Sequence, residues 1–253
     1  MRITQLISND ADAASQRYGL LVEGWRSIYS AALDQSHFGS EKQLRSIVAQ
    51  AYRLAHTYLD DETARIEEVS NAVALEAQGV TLQQLSNKHV LELADAVSEH
   101  VNANNEYLLR EISVQIERDI AFLQKSVRST YLHVAIAARA NRIPLRTALM
   151  QYRIGNASEL AFFFHDRRNQ RWPSRKFIRS VWRQHLLATY NEAVLLTLSD
   201  HGVDVAQIDH SDPKSDNHGM IISVASNSTL PTYAEIKDVI FHPNSEAVLT
   251  RVA

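Results

Sequence analysis

From Leu108 onward the apolar residues Ile112, Ile116, Ile120, Leu123, Val127, Tyr131 and Val134 recur every three or four positions, with polar and charged residues between them. That period places them on one stripe of an α-helix. Neither glycine nor proline occurs between Gly79 and Pro144, so nothing in the stretch interrupts such a helix. A continuous helix over residues 103–140 would rise roughly 55 Å at 1.5 Å per residue, more than an ordinary compact domain needs. An antiparallel bundle broken near Asn102 to Asn105 would bury the same stripe, and the pattern leaves both open. Upstream, only Gly19, Gly24, Gly39 and Gly79 punctuate the chain before Pro144, so helices should dominate there too.

After Pro144 the pattern shortens. A break at Gly155 and Asn156 is followed by Leu160 to Phe164, read as a short apolar helix that Ser158 could cap. Pro173 and Ser174 mark a further helix start, with Phe177, Ile178, Val181, Trp182 and Leu186 as its inward face. Gly202 reads as that helix's stop. Beyond it Pro213, Gly219, Pro231 and Pro243 separate short β-like segments: MIISV, VIF and AVLTRV. The expected fold is mainly α, a long-helix bundle or extended helical region with a small α+β C-terminal module. Three segments follow: residues 1–143 with the long helix, 144–202 with a basic helix face, and 203–253 as the mixed module.

Composition narrows the chemistry. With 253 residues, 45% of them hydrophobic, the chain can bury a substantial core. No run approaches the roughly 20 apolar residues of a membrane span, and the first residues lack the apolar region of a secretory signal. No membrane span and no export by the usual route are therefore expected. The chain has no cysteine, so disulfides, thiolate ligands and a cysteine nucleophile are excluded. A formal net charge of -3 makes the chain as a whole a poor ligand for polyanions, leaving charge distribution to decide.

That distribution is uneven. Between residues 167 and 183, Arg167, Arg168, Arg171, Arg175, Lys176, Arg179 and Arg183 are basic and nothing is acidic. Arg175, Arg179 and Arg183 follow one another at i, i+4 spacing. Such a stripe could track phosphates without reading sequence, with Trp172 available for stacking; it could equally meet an acidic partner, or be a solvated face paired within the chain. Further on, Asp209, His210, Asp212, Asp216, His218 and His242 form an inventory from which a hydrolytic metal site could be built. No fixed ligand spacing accompanies them, and an Asp-, Ser- and Pro-rich run is also what an exposed turn contains. No catalytic residue, metal or cofactor is assigned. In His242, Pro243 and Asn244 the proline fixes φ and the asparagine tolerates turn geometry, so the three read as a structural clasp, with His242 bonded to the Asp212-Pro213 turn.

The order of these features resembles the phage head morphogenesis family, the Mu F-like minor head proteins. It comprises a helix with Tyr190 and Asn191, the Asp212-Pro213 turn, His218-Gly219, a short strand, a proline-bearing spacer, and His242-Pro243-Asn244 before an apolar end. The family ending typically reads HPNCRC; here Ser245, Glu246 and Ala247 stand in place of Cys-Arg-Cys, and Ser215 lies where the family usually carries a further cysteine. The likeness covers residues 175–252. It implies a structural, non-enzymatic minor head protein in a virion assembled in the host cytoplasm. Such a protein would be oligomeric in the particle, would contact the portal or major capsid protein and double-stranded DNA without sequence preference, and would act in DNA packaging or ejection. Two alternatives stand beside it: a cytoplasmic, non-specific nucleic-acid-binding helical protein, and a metal-dependent hydrolase or toxin.

Overall fold

The computed structural model describes residues 3–35, 37–86, 92–155, 160–166, 168–225 and 229–252. Among them the order of elements is α1 (Ile3–Leu33), α2 (Glu41–Ser86), α3 (Asp95–Asn141), α4 (Leu145–Gly155), β1 (Phe163–His165), β2 (Arg171–Pro173), α5 (Ser174–Asp200), β3 (Val205–His210), β4 (Ile221–Ser223), α6 (Tyr233–Ile240) and β5 (Ala247–Arg251). The fold is mainly α with a small α+β module at the C-terminal end. The apolar stripe does lie on one unbroken helix: α3 runs 47 residues straight through Asn102 to Asn105. Of its stripe, Leu108, Ile112, Ile116, Ile120, Leu123, Val127 and Val134 are buried, whereas Tyr131 is exposed. No helix among the described residues is long and apolar enough to cross a membrane.

The chain condenses into two compact units built from non-consecutive stretches, where the sequence suggests three consecutive segments. One comprises residues 1–14, 62–111 and 178–253, the other 15–61 and 112–177. They are called here the terminal unit and the inner unit. α1, α2, α3 and α5 each contribute to both.

The inner unit is organised around aromatic rings. Trp25 is fully buried, donates its indole N–H to the Ala51 carbonyl at 3.1 Å, and packs against Phe162 with centroids 5.4 Å apart. Tyr18 meets Trp25 and Tyr58 edge-on, the arrangement that ring quadrupoles favour. Where α1 turns into α2, Gly39 has φ +80°, and a Cβ there would lie 2.1 Å from the Tyr131 ring, so only glycine fits. The segment Leu160 to Phe164, read as a short apolar helix, is irregular as far as Phe162 and enters a strand at Phe163. Phe163, Phe164 and His165 pair antiparallel with Pro173, Trp172 and Arg171. A five-residue apolar run is too short for periodicity to separate helix from strand, and the hairpin partner decided the outcome. Ser158, its proposed cap, lies outside the described residues.

In the terminal unit a three-stranded antiparallel sheet, order β4-β3-β5, lines up Ala206 with Arg251, Ile208 with Leu249, and Ala206 with Ile222. Ala206, Ile208, Ile222 and Leu249 are fully buried. β3 is the central strand, although its sequence, VAQIDH, continues into the polar run that reads as a turn. α5 stops as expected: Gly202 has φ +67°, and the Val203 N–H reaches back to the Leu198 carbonyl at 3.0 Å. The VIF segment is not a strand. Val239 and Ile240 end α6, whose Thr232 N–H is accepted by Glu235 in the manner of a capping box, and Tyr233 and Ile240 form its buried side.

β5 is an edge strand whose outer side is closed by α5. Asn191, fully buried on α5, accepts the Leu249 N–H through Oδ1 at 2.8 Å. Asn191→Ala should leave that amide unpaired in the core and lower stability by about 1–3 kcal/mol. A denaturant midpoint within error of wild type would contradict this role.

Candidate binding surface

The seven basic residues from 167 to 183 do not form one solvent-facing stripe. Arg167 lies outside the described residues. Arg168, Arg171, Arg175 and Lys176 are exposed in the inner unit, whereas Arg179 and Arg183 belong to the terminal unit. Arg179 is half-buried and ion-paired with Asp12, a bond that raises its pKa. Arg183 is only 5% exposed; it donates to the Ser8 hydroxyl and, at 2.8 Å, to the Ser245 carbonyl. Burial lowers its pKa, as does the neighbouring Arg179, while Glu246 and Asp12 act in the other direction. The reason is helix geometry. At 3.6 residues per turn, two steps of four carry Arg183 about 80° around α5 from Arg175, onto the side of Trp182 and Leu186.

What remains exposed is built on the β1–β2 hairpin. Its turn is held by Asp166, which accepts the Arg168 and Gln170 amides at 2.9 and 2.8 Å and the Trp172 indole N–H at 3.1 Å. These bonds, the Gln170 amide first, pull the Asp166 carboxyl below its ordinary pKa. Asn169 supplies the left-handed residue at φ 57°. On this frame the Arg171 guanidinium lies 3.5 Å over the Phe163 ring and the Lys176 ammonium 5.1 Å from the Trp172 ring centre. Stacking through the face of a guanidinium leaves its N–H edges to bind anions. Trp172 remains 36% exposed with its indole N–H already engaged. The result is a fixed cationic and aromatic surface.

Comparison with family models, curated proteins and solved structures finds no match.

The C-terminal clasp is made differently from the expected one. His242 and Asn244 are exposed, and His242 Nδ1 accepts the Asn244 amide within its own turn at 3.1 Å. Pro243 completes that turn, in which the Ser245 N–H returns to the His242 carbonyl at 2.8 Å. The link to the Asp212-Pro213 turn runs through Glu246: its carbonyl accepts the Ser211 N–H at 3.4 Å and its carboxylate the Ser211 hydroxyl. Arg183 and Asn191, from α5, anchor the two sides of this ending.

The Asp- and His-rich run holds itself together locally. His218 Nδ1 lies 3.5 Å from Asp209 and accepts the His210 amide at 3.2 Å, and His210 Nδ1 accepts the Asp212 amide at 3.0 Å. Among the described residues no three His, Asp or Glu side chains converge as a metal site would require.

Two buried polar centres and one half-buried cluster had no signal in the sequence. In the inner unit the Asp119 carboxylate, 1% exposed, accepts Tyr18 Oη at 2.7 Å, Ser174 Oγ at 2.9 Å and Gln115 Nε2 at 3.0 Å. Burial outweighs these bonds and pushes its pKa up to about 6. In the terminal unit Ser70 Oγ lies 2.8 Å from His185 Nε2, and burial lowers the imidazole pKa to about 4. A hydroxyl beside a neutral imidazole is the pairing of an activated nucleophile, but Ser70 is fully buried, out of a substrate's reach. Also in that unit, Glu192 accepts Asn104 Nδ2 at 2.7 Å and lies 2.7 Å from His100 Nε2. Each of these residues sits in a helix pattern that reads as ordinary amphipathic sequence; only packing brings the partners together.

Proposed function

We propose that this chain is a non-catalytic structural and binding protein that contacts double-stranded DNA without sequence preference through the exposed basic surface of its inner unit. The observation that carries this reading is the cluster of Arg168, Arg171, Arg175 and Lys176 on a rigid hairpin and helix start, with Arg171 and Lys176 lying against aromatic rings. Arginines fixed in this way neutralise phosphates, and beside them only Asn169 and Gln170 are amide side chains of the kind that read base edges. The resemblance of the C-terminal region to minor head proteins supports a phage particle as the setting, with the portal or capsid protein as partner and packaging or ejection of DNA as the process. Long helices offer extended contact surface for such an assembly.

Duplex binding should therefore be independent of sequence and weaken steeply with salt. With about three or four phosphates neutralised, log K against log salt should have a slope near about -3. The variant Arg168→Gln/Arg175→Gln/Lys176→Gln should make that slope shallower by about two to three units while leaving the melting temperature in place. An unaltered slope in the triple variant, or particles assembled in its presence that contain none of this chain, would remove the corresponding half of the proposal.

A further inference from the structure

We infer that a cleft of about 310 Å³ in the inner unit, lined by Lys125 and Arg171, is a phosphate-binding subsite. This extends the reading above by assigning one phosphate of the bound polyanion, or of a free phosphate ester, to a defined place. The face of α3 that forms one wall repeats at helical spacing: Lys125 and Ser129, then Ser126 and Thr130, lie four residues apart and so side by side. Arg171, from β2, lines the same cleft, with its guanidinium carbon 3.5 Å over the centroid of the Phe163 ring. The Thr130 hydroxyl lies 2.7 Å from Tyr29 Oη and 3.3 Å from Tyr152 Oη, which ties these three lining residues together. Phe122, Leu160 and Ala161 close the remainder with apolar surface.

The charge of the surroundings points the same way. Among the described residues that line the cleft there is no carboxylate. From Ala121 to Ser158 the chain carries Lys125, Arg128, Arg139, Arg142, Arg146 and Arg153 and no acidic residue, and of these cations Arg153 is ion-paired with Asp34. A concave site with two cations, several hydroxyls and no carboxylate among its described lining residues is matched to an anion rich in oxygen acceptors. Its volume stands at the lower end of the range for small-ligand sites, enough for a phosphate ester of nucleotide size.

The test uses the full chain and two probes: inorganic pyrophosphate by calorimetry, and a short DNA duplex by anisotropy across a salt series. Lys125 is exposed, so Lys125→Gln should fold normally, which circular dichroism checks. Lys125→Gln should weaken pyrophosphate binding by about tenfold and reduce the duplex salt slope by about one unit. Pyrophosphate binding that depends on Lys125, with no duplex binding, keeps the cleft as a site for free phosphate esters and removes the DNA reading. Duplex binding that falls in Arg175→Gln but not in Lys125→Gln keeps the DNA reading and overturns the cleft. Insensitivity of both probes to Lys125 overturns it outright.

Discussion

Replacing Asp119 by alanine should destabilise the protein by about 3–5 kcal/mol at neutral pH, because three buried donors, on Tyr18, Ser174 and Gln115, lose their common acceptor at once. Asp119→Asn keeps an acceptor oxygen and should cost less. The more telling result concerns pH. The carboxyl pKa rises from 3.8 to about 6 on folding, so the folded state holds the proton more tightly than the unfolded chain does. Its contribution is therefore complete below the unfolded value and is lost as pH rises through about 6. At about 1.4 kcal/mol per pKa unit, the loss between about pH 4 and 6 amounts to roughly 3 kcal/mol. His185 has the opposite sign. Its pKa falls from 6.5 to about 4, so its contribution is complete above the unfolded value and is lost as pH falls through about 4. The two slopes oppose each other across the same window in the wild type. Chemical denaturation from about pH 4 to 7 should show stability rising with pH in Asp119→Asn and falling with pH in His185→Gln. Parallel profiles in the two variants would contradict both assignments.

Arg183→Gln should lower stability by about 2–4 kcal/mol, whereas Arg175→Gln, on the exposed side of the same helix, should stay within about 0.5 kcal/mol of wild type. The shorter side chain cannot reach both Ser8 and the Ser245 carbonyl, and the buried acceptor is left without its donor. The consequence is practical. A variant that removes Arg175, Arg179 and Arg183 together would mix lost stability with lost surface charge and so would not isolate the surface. Equal melting temperatures for Arg183→Gln and Arg175→Gln would show that Arg183 is solvated and restore the single stripe.

The C-terminal turn illustrates why some residues were legible and others not. Pro243 restricts its own φ and the backbone of His242 before it, so a turn at His242 to Asn244 follows from covalent geometry, and the turn is present. Which residue ties that turn to the rest depends on where α5 lies, and no local property of Arg183 or Asn191 announces it. The same holds for the basic run. Its charge and its lack of acids are plain in the sequence, but exposure is a property of the packed helix, and packing took Arg183 inside while Asp12 claimed Arg179.

By itself the sequence determined that residues from Leu108 to Val134 are helical with one buried stripe, through an uninterrupted three-and-four apolar period with no glycine or proline, while leaving open a break near Asn102 to Asn105 that the structure does not have. It also determined the start of α5 at Ser174, its stop before Gly202, and the strand at Ala247 to Arg251. These follow from backbone sterics and from the need to bury one face, which act over a turn or two of chain. Tertiary structure alone decided that Phe163 to His165 is a strand, that VAQIDH is the centre of a sheet, and that Asp119 collects Tyr18 and Ser174 from positions 101 and 55 residues away. Short apolar runs and single polar residues carry no period to read, and their state is set by partners that are distant in the chain and adjacent only once it has folded.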